Sequence, residues 1–155
     1  MSEVVPTVLV VEDSRNDAFL LQRALKVAGA ACAVQVVRTG REALDYLSGR
    51  GAFADRTQYP MPRLLFLDLT LPLITGFEVL TWLNDHPSAR IPVVVMTASS
   101  DERDKRHALQ MGVKAYLPKP PNGEVIRGIL QRVGLVEPNA APGGPYGMTP
   151  LPSSQ

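Results

Sequence analysis

Cysteine is almost missing from this chain. Cys32 is the only one in 155 residues, so no internal disulfide can form, and the chain suits a reducing cytoplasmic setting. Long hydrophobic runs are missing too: none approaches the roughly 20 residues of a membrane span. The first residues, Met1 to Pro6, lack the basic start and apolar stretch of a secretory signal. Charge of one sign is not in excess, with 16 Lys and Arg against 15 Asp and Glu, a net charge of +1. No block of like charge stands out, so neither nucleic acid nor a membrane surface is an expected direct partner. A phosphate-cradling glycine loop is lacking: Gly49-Arg50-Gly51 follows a helical pattern rather than a strand. What remains is ordinary. A hydrophobic content of 45% and a charged content of 20% fit one globular domain with a real core.

Apolar patterning divides the first 133 residues into alternating strands and helices. Thr7 to Val11, Ala33 to Val37, Leu64 to Leu69, Pro92 to Thr97 and Ala115 to Pro118 read as strands. Between them, apolar residues recur at helical spacing behind cap signals: Ser14 with Asp17, Thr39 with Glu42, Thr75 with Glu78, and Asn122 before the last helix. A polar helix over about Glu102 to Met111 has a thin apolar face of Ala108, Leu109 and Met111. Five βα units in a row predict an α/β fold, an open, mostly parallel sheet with helices on both faces. Ser48 to Pro62 is a polar connection, long for such a unit. From Gly134 to Gln155 the composition shifts to proline and glycine with Glu137 as the one charge. The expected division is therefore a domain over 1–133 and a tail over 134–155, flexible or a docking arm.

Leu64-Leu-Phe-Leu-Asp68-Leu-Thr-Leu-Pro72 is the stretch on which the chemistry turns. It reads as a strand buried on both faces, and a lone carboxylate at its end is costly without a partner. The C-terminal ends of the other strands supply partners: Glu12 and Asp13 after the first, Thr97 with Ala98 and Ser99 after the fourth, Lys119 after the fifth. Ligands bind at this edge of an open α/β sheet, where strand order reverses. If the first and third strands are neighbours, three carboxylates meet, a donor set suited to Mg²⁺ or a similar hard cation. Lys119 and a hydroxyl could then hold phosphate oxygens while Asp68 attacks a phosphoryl group.

Val11-Glu12-Asp13, Asp68-Leu-Thr-Leu-Pro72 with Gly76, Val95-Met-Thr97-Ala98 and Tyr116-Leu-Pro-Lys119-Pro120 together resemble the response-regulator receiver domain of two-component signalling. The resemblance covers residues 7 to about 133. It implies a flavodoxin-like (βα)5 fold with strand order 2-1-3-4-5. It implies that Asp68 accepts phosphate from the phosphohistidine of a sensor histidine kinase. Glu12, Asp13, Asp68 and the backbone carbonyl of Thr70 would hold Mg²⁺, with Mn²⁺ as a substitute. Lys119, Thr97 and Ala98 would contact the phosphate, Thr97 and Tyr116 would form a switch pair, and Lys119–Pro120 is a candidate cis peptide bond. The surface of the fourth helix, fifth strand and fifth helix would change on phosphorylation.

The long connection before Leu64, the tail, Tyr46-Leu-Ser-Gly and Ile91-Pro-Val-Val-Val-Met-Thr-Ala narrow the resemblance to small regulators paired with phytochrome-type kinases. That implies a stand-alone regulator, a homodimer, and a downstream phosphotransfer protein as a further partner. An aspartate-nucleophile phosphatase is the competing enzyme reading, but it wants a second acid at position 70, where Thr70 stands. A nucleotide-binding protein would need a glycine-rich loop where this chain has acids. A scaffold that had lost its chemistry would not keep every matched residue. Asp68 as a merely salt-bridged acid, Glu12 and Asp13 as helix-start acids and Lys119 as a loop lysine are the plainer alternatives. His86 and His107 are expected to be solvated, and Cys32 a small buried residue.

Overall fold

The strands form where β-branched and leucine residues run without interruption. The computed structural model describes residues 5–136. Within them, β1 (Thr7–Val11), β2 (Ala33–Val37), β3 (Leu64–Leu67), β4 (Val93–Thr97) and β5 (Ala115–Pro118) make one sheet in the order β2-β1-β3-β4-β5. All four pairings are parallel. Every residue of β1, β3 and β4 is buried, as the central strands of a sheet covered on both faces must be. The expected α/β fold and strand order are those observed.

Period-two alternation sorts the side chains into two cores. Leu9, Val11, Leu65, Leu67, Val93 and Val95 point to one face, where α2 (Gly40–Ser48), α3 (Gly76–Asp85) and α4 (Glu102–Gln110) cover them. Val8, Val10, Leu64, Phe66, Val94 and Met96 point to the other, under α1 (Arg15–Val27) and α5 (Gly123–Arg132). Each fully buried leucine or valine contributes about 1.5–3 kcal/mol by leaving water. The helices open where the cap residues predict: Ser14, Thr39 and Thr75 hydroxyls accept from the N–H groups of Asp17, Glu42 and Glu78, and the Asn122 side chain accepts from Glu124 and Val125. At Thr39 the return bond of the capping box lands one residue early, with Arg38 N–H donating to Glu42 Oε1 at 2.8 Å.

The connection from Ser48 to Pro62 is better built than its polar composition suggests. Gly49 closes α2 with φ +72°, a left-handed turn that glycine makes at no steric cost. A 3-10 turn follows over Gly51–Phe53. Phe53 then packs against buried Tyr46 and edge-on to Tyr59, each with ring centroids 5.1 Å apart. Tyr46 donates its hydroxyl to Pro60 O at 2.9 Å, and Arg56 donates to the carbonyls of Leu47 and Tyr59. Three aromatic rings spaced irregularly along a chain carry no periodic signal, which is why the sequence reads as a loop here. At the other end, Leu135 and Val136 are buried, and Ala31 N–H donates to Leu135 O at 2.8 Å. Packing thus continues past the expected boundary at residue 133. The tail expected to be flexible or to dock lies, from 137 to 155, outside the described residues.

Candidate functional site

The ladder between β1 and β3 sets the site. Val11 pairs with Leu67, and the next backbone bond runs from Asp68 N–H to Val11 O at 3.2 Å. Glu12 N–H bonds Val37 O at 3.0 Å on the other side. The acids that follow the two strands are therefore side by side, at the point where the strand order turns from β1 toward β2 and β3 in opposite directions. Glu12 and Asp68 are buried, Asp13 is exposed, and carboxylate oxygens of all three lie within 4.8 Å of one another. β4 and β5 do the same for the opposite wall. Lys119 N–H bonds Thr97 O at 3.0 Å, which aligns the lysine with the end of β4.

The Lys119 ammonium joins the two walls. Its Nζ lies 2.6 Å from Glu12 Oε1, 2.8 Å from Asp68 Oδ2 and 2.8 Å from Asp17 Oδ2. An ammonium has three N–H groups, and here each has a carboxylate. Asp68 Oδ1 in turn accepts from both the N–H and the hydroxyl of Thr70, each at 3.0 Å. Ser14 N–H donates to Glu12 Oε2 at 3.1 Å. Burial alone would push the Asp68 carboxyl up, but the Lys119 and Thr70 bonds outweigh it and hold the group below its ordinary value. Burial wins at Glu12, which sits above its ordinary value despite bonds from Lys119 and Ser14. Burial opposes the charge on Lys119 as well, yet the bonds to Asp17, Asp68 and Glu12 raise it above the ordinary lysine range. At neutral pH Asp68 is thus an anion facing a fixed cation.

The other site residues named from the sequence sit on, or directly after, β4 and β5. Thr97 is fully buried and its Oγ1 accepts from Ser99 N–H at 3.3 Å. Ala98, the residue after β4, is exposed. Tyr116 is half-buried and packs on the α2–α3–α4 side of the sheet, with its hydroxyl buried and, among the described residues, without a hydrogen-bond partner. Ser99 beside it donates instead to Asp104 Oδ2 at 2.9 Å. The Lys119–Pro120 peptide bond is cis. Gly76 lies against the backbone of Asp68: a Cβ there would stand 2.5 Å from Asp68 O and 2.7 Å from Leu69 Cα, so only glycine lets α3 start this close.

Asp17 is the residue that sequence reasoning placed elsewhere. As the third residue of α1 it reads as a first-turn acid favoured by the helix dipole. The helix instead turns its carboxylate back over the sheet edge onto Lys119. The two histidines are solvated, as expected, and also make ring contacts. His107 stacks on Phe77 with centroids 4.6 Å apart, and His86 stacks on Trp82 at 4.0 Å. Cys32 is half-buried, and burial pushes its thiol up.

Glu12, Asp13 and Asp68 offer only oxygen donors, closely grouped and mostly charged, which fits a hard divalent cation such as Mg²⁺ or Mn²⁺ and does not favour a soft metal. No helix among the described residues is long and apolar enough to cross a membrane. Residues 8–131 match the family model described as the response regulator receiver domain. The chain is 37% identical over 116 residues to response regulator Rcp1 of Synechocystis, covering 74% of this chain and 77% of Rcp1. The Mn²⁺-bound crystal form of Rcp1 superposes with a TM-score of 0.71 at 34% identity, over 81% of this chain and 92% of that one. A response regulator in red light signaling of R. palustris gives 0.75 at 33% identity, over 82% and 92%. The phosphorylated cyanobacterial phytochrome response regulator RcpA gives 0.72 at 35%, over 83% and 93%. With acids after β1 and β3, a lysine after β5 and this family match along nearly the whole sheet, the chain belongs to the response regulator receiver domain family.

Proposed function

We propose that this chain is a phosphoryl-accepting signalling module in which Asp68 takes a phosphoryl group from the phosphohistidine of a sensor histidine kinase. The observation that carries the reading is the triple ion pair at Lys119: it keeps Asp68 ionised and places a cation where phosphoryl oxygens would come to lie. In the step, an Asp68 carboxylate oxygen attacks phosphorus and the P–N bond to the donor imidazole breaks. The electron pair stays on the imidazole, which takes up a proton from water. No general base is required, because the nucleophile is already an anion. Lys119 transfers its hydrogen bond from the carboxylate to the phosphoryl group. A divalent cation held by Glu12, Asp13, Asp68 and the Thr70 backbone carbonyl would neutralise phosphoryl charge.

Thr97 and Ala98, at the end of β4, would meet the phosphoryl oxygens. Thr97 turning toward them, with Tyr116 filling the space behind it, would alter the α4–β5–α5 surface that signals onward or passes the phosphoryl group to a phosphotransfer protein. The exposed Leu109 and Val125 on that surface support its use as a contact face, including with a second copy of the chain. The phytochrome and red light regulators among the relatives support a phytochrome-type kinase partner, in the cytoplasm. Turnover as an enzyme is not part of this reading beyond slow release of phosphate to water. Thr70 bonds the nucleophile rather than offering a second acid, which weighs against a phosphatase. Acetyl phosphate with Mg²⁺, followed by intact mass, tests the proposal: one added phosphoryl unit of about 80 Da in the wild type and none in Asp68→Asn supports it. Continuous release of inorganic phosphate without a retained adduct argues for the phosphatase.

A further inference from the structure

We propose that Asp17 is a positioning residue for phosphoryl transfer, acting only through Lys119, as the tether that keeps the ammonium at the site when its other two partners are withdrawn. The inference rests on the phosphoryl-accepting reading above. In the structure, Glu12, Asp17 and Asp68 share the ammonium at 2.6–2.8 Å. They are not equivalent. Glu12 and Asp68 belong, with Asp13, to the group whose oxygens lie within 4.8 Å of one another and could hold a metal; Asp17 does not. Cation binding would draw Glu12 and Asp68 away, and phosphorylation would convert Asp68 to an ester. Asp17 is the one partner that neither event engages.

Its placement suits that task. Asp17 sits in the first turn of α1, and its own N–H is fixed by the Ser14 hydroxyl at 3.2 Å. Lys119 lies 102 residues away, after β5. The four groups line a cavity of about 20 Å³ together with Leu21, Phe66 and Met96. That is enough space for one water, or for the ammonium to shift between oxygens without moving the backbone. Without Asp17, a long lysine side chain has only the two acceptors that the chemistry removes. It would then either stay on Glu12, in competition with the cation, or lose its fixed direction. Both consequences slow transfer.

Four proteins test this: wild type, Asp17→Asn, Lys119→Met and the double variant. Phosphoryl uptake from acetyl phosphate at saturating Mg²⁺ is timed by intact mass. Asp17→Asn is expected to slow uptake roughly tenfold when Lys119 is present and to change it little in Lys119→Met. Asp17→Glu, which keeps the carboxylate on a longer arm, recovers part of the rate. An equal slowing in both backgrounds, or none in either, overturns the proposal, because Asp17 would then act as a distant charge or not at all. A second readout needs no chemistry. In protein labelled with ¹⁵N-lysine and saturated with Mg²⁺, the Lys119 ammonium protons are expected to exchange with water about tenfold faster in Asp17→Asn than in wild type. Unchanged exchange overturns the tether. A wild type that takes no label overturns the phosphoryl-accepting reading instead, and the ammonium exchange still decides the tether.

Discussion

Lys119 and Asp68 are 51 residues apart in sequence and meet at 2.8 Å, Nζ to Oδ2, with both side chains largely out of water. The contact ties β3 to the loop after β5 across the intervening β4. A carboxylate in this position is stable because the lysine is there, and the lysine keeps its charge because the carboxylates are. Structure and chemistry therefore share one interaction, and substitutions should disturb both together.

Lys119→Met leaves Glu12 and Asp68 buried without their cation. The expected cost is about 3–5 kcal/mol, the range for removing one partner of a buried ion pair. Urea denaturation with a chelator present measures it. Adding Mg²⁺ should recover more stability in the variant than in the wild type, since the cation then replaces the missing charge. A variant as stable as the wild type in chelator would show that the ion pair contributes nothing net.

Acid should act on the site in two stages. The Glu12 carboxyl is raised by burial, so it takes up its proton first as pH falls. Asp68, raised by burial but lowered further by Lys119 and Thr70, holds out to lower pH. The stability that Asp68 contributes is present above its unfolded value and lost as pH falls through its lowered folded value. Glu12 has the opposite sign: its raised folded value favours the folded state only where it is protonated. Mg²⁺ affinity, followed by calorimetry across the acid range, should begin to fall above the ordinary glutamate range. Glu12→Gln should weaken binding throughout and remove that first stage. A first stage that survives in Glu12→Gln assigns it to another group.

Gly76→Ala tests the mount rather than the charge. The new Cβ would press on Asp68 O and Leu69 Cα, and backbone cannot swing aside as a side chain can. A loss of roughly 1–3 kcal/mol is expected, with slower phosphoryl uptake if Asp68 is the acceptor, because the atoms that must move belong to Asp68 and Leu69. Unchanged stability in thermal and urea unfolding would mean that α3 has room to retreat.

Tyr116→Phe removes a buried hydroxyl that lies close to Ser99 but makes no well-aligned hydrogen bond among the described residues. The loss should leave stability unchanged or raise it by up to about 1 kcal/mol, since an unsatisfied buried polar group is a cost. A drop of that size instead would reveal a bond to the Ser99 hydroxyl, and with it a polar link between β5 and the start of α4.

Much of this was legible in the residues. The strands announce themselves because central strands of a parallel sheet are apolar on both faces, as Val8 to Val11 and Val93 to Met96 are. Strand-end acids and Lys119 were legible because a charge beside such a run needs a partner. Asp17 was not, because a first-turn acid already has a sufficient local explanation in the helix dipole. Nor was the packing of Tyr46, Phe53 and Tyr59, whose contacts depend on where a loop folds back. The stacking of His107 on Phe77 joins α4 to α3, and His86 on Trp82 is a same-helix-end contact. Neither follows from a residue type that is usually solvated.

The central claim is that Asp68 carries the phosphoryl group. Borohydride reduces an aspartyl phosphate to homoserine, so it marks the acceptor permanently. Protein treated with acetyl phosphate and Mg²⁺, reduced, digested with trypsin and sequenced by mass spectrometry should show homoserine at position 68 in the peptide from Leu64 to Arg90, with Glu78 and Asp85 unchanged. Homoserine elsewhere, or a reduced peptide with Asp68 intact, would contradict the account.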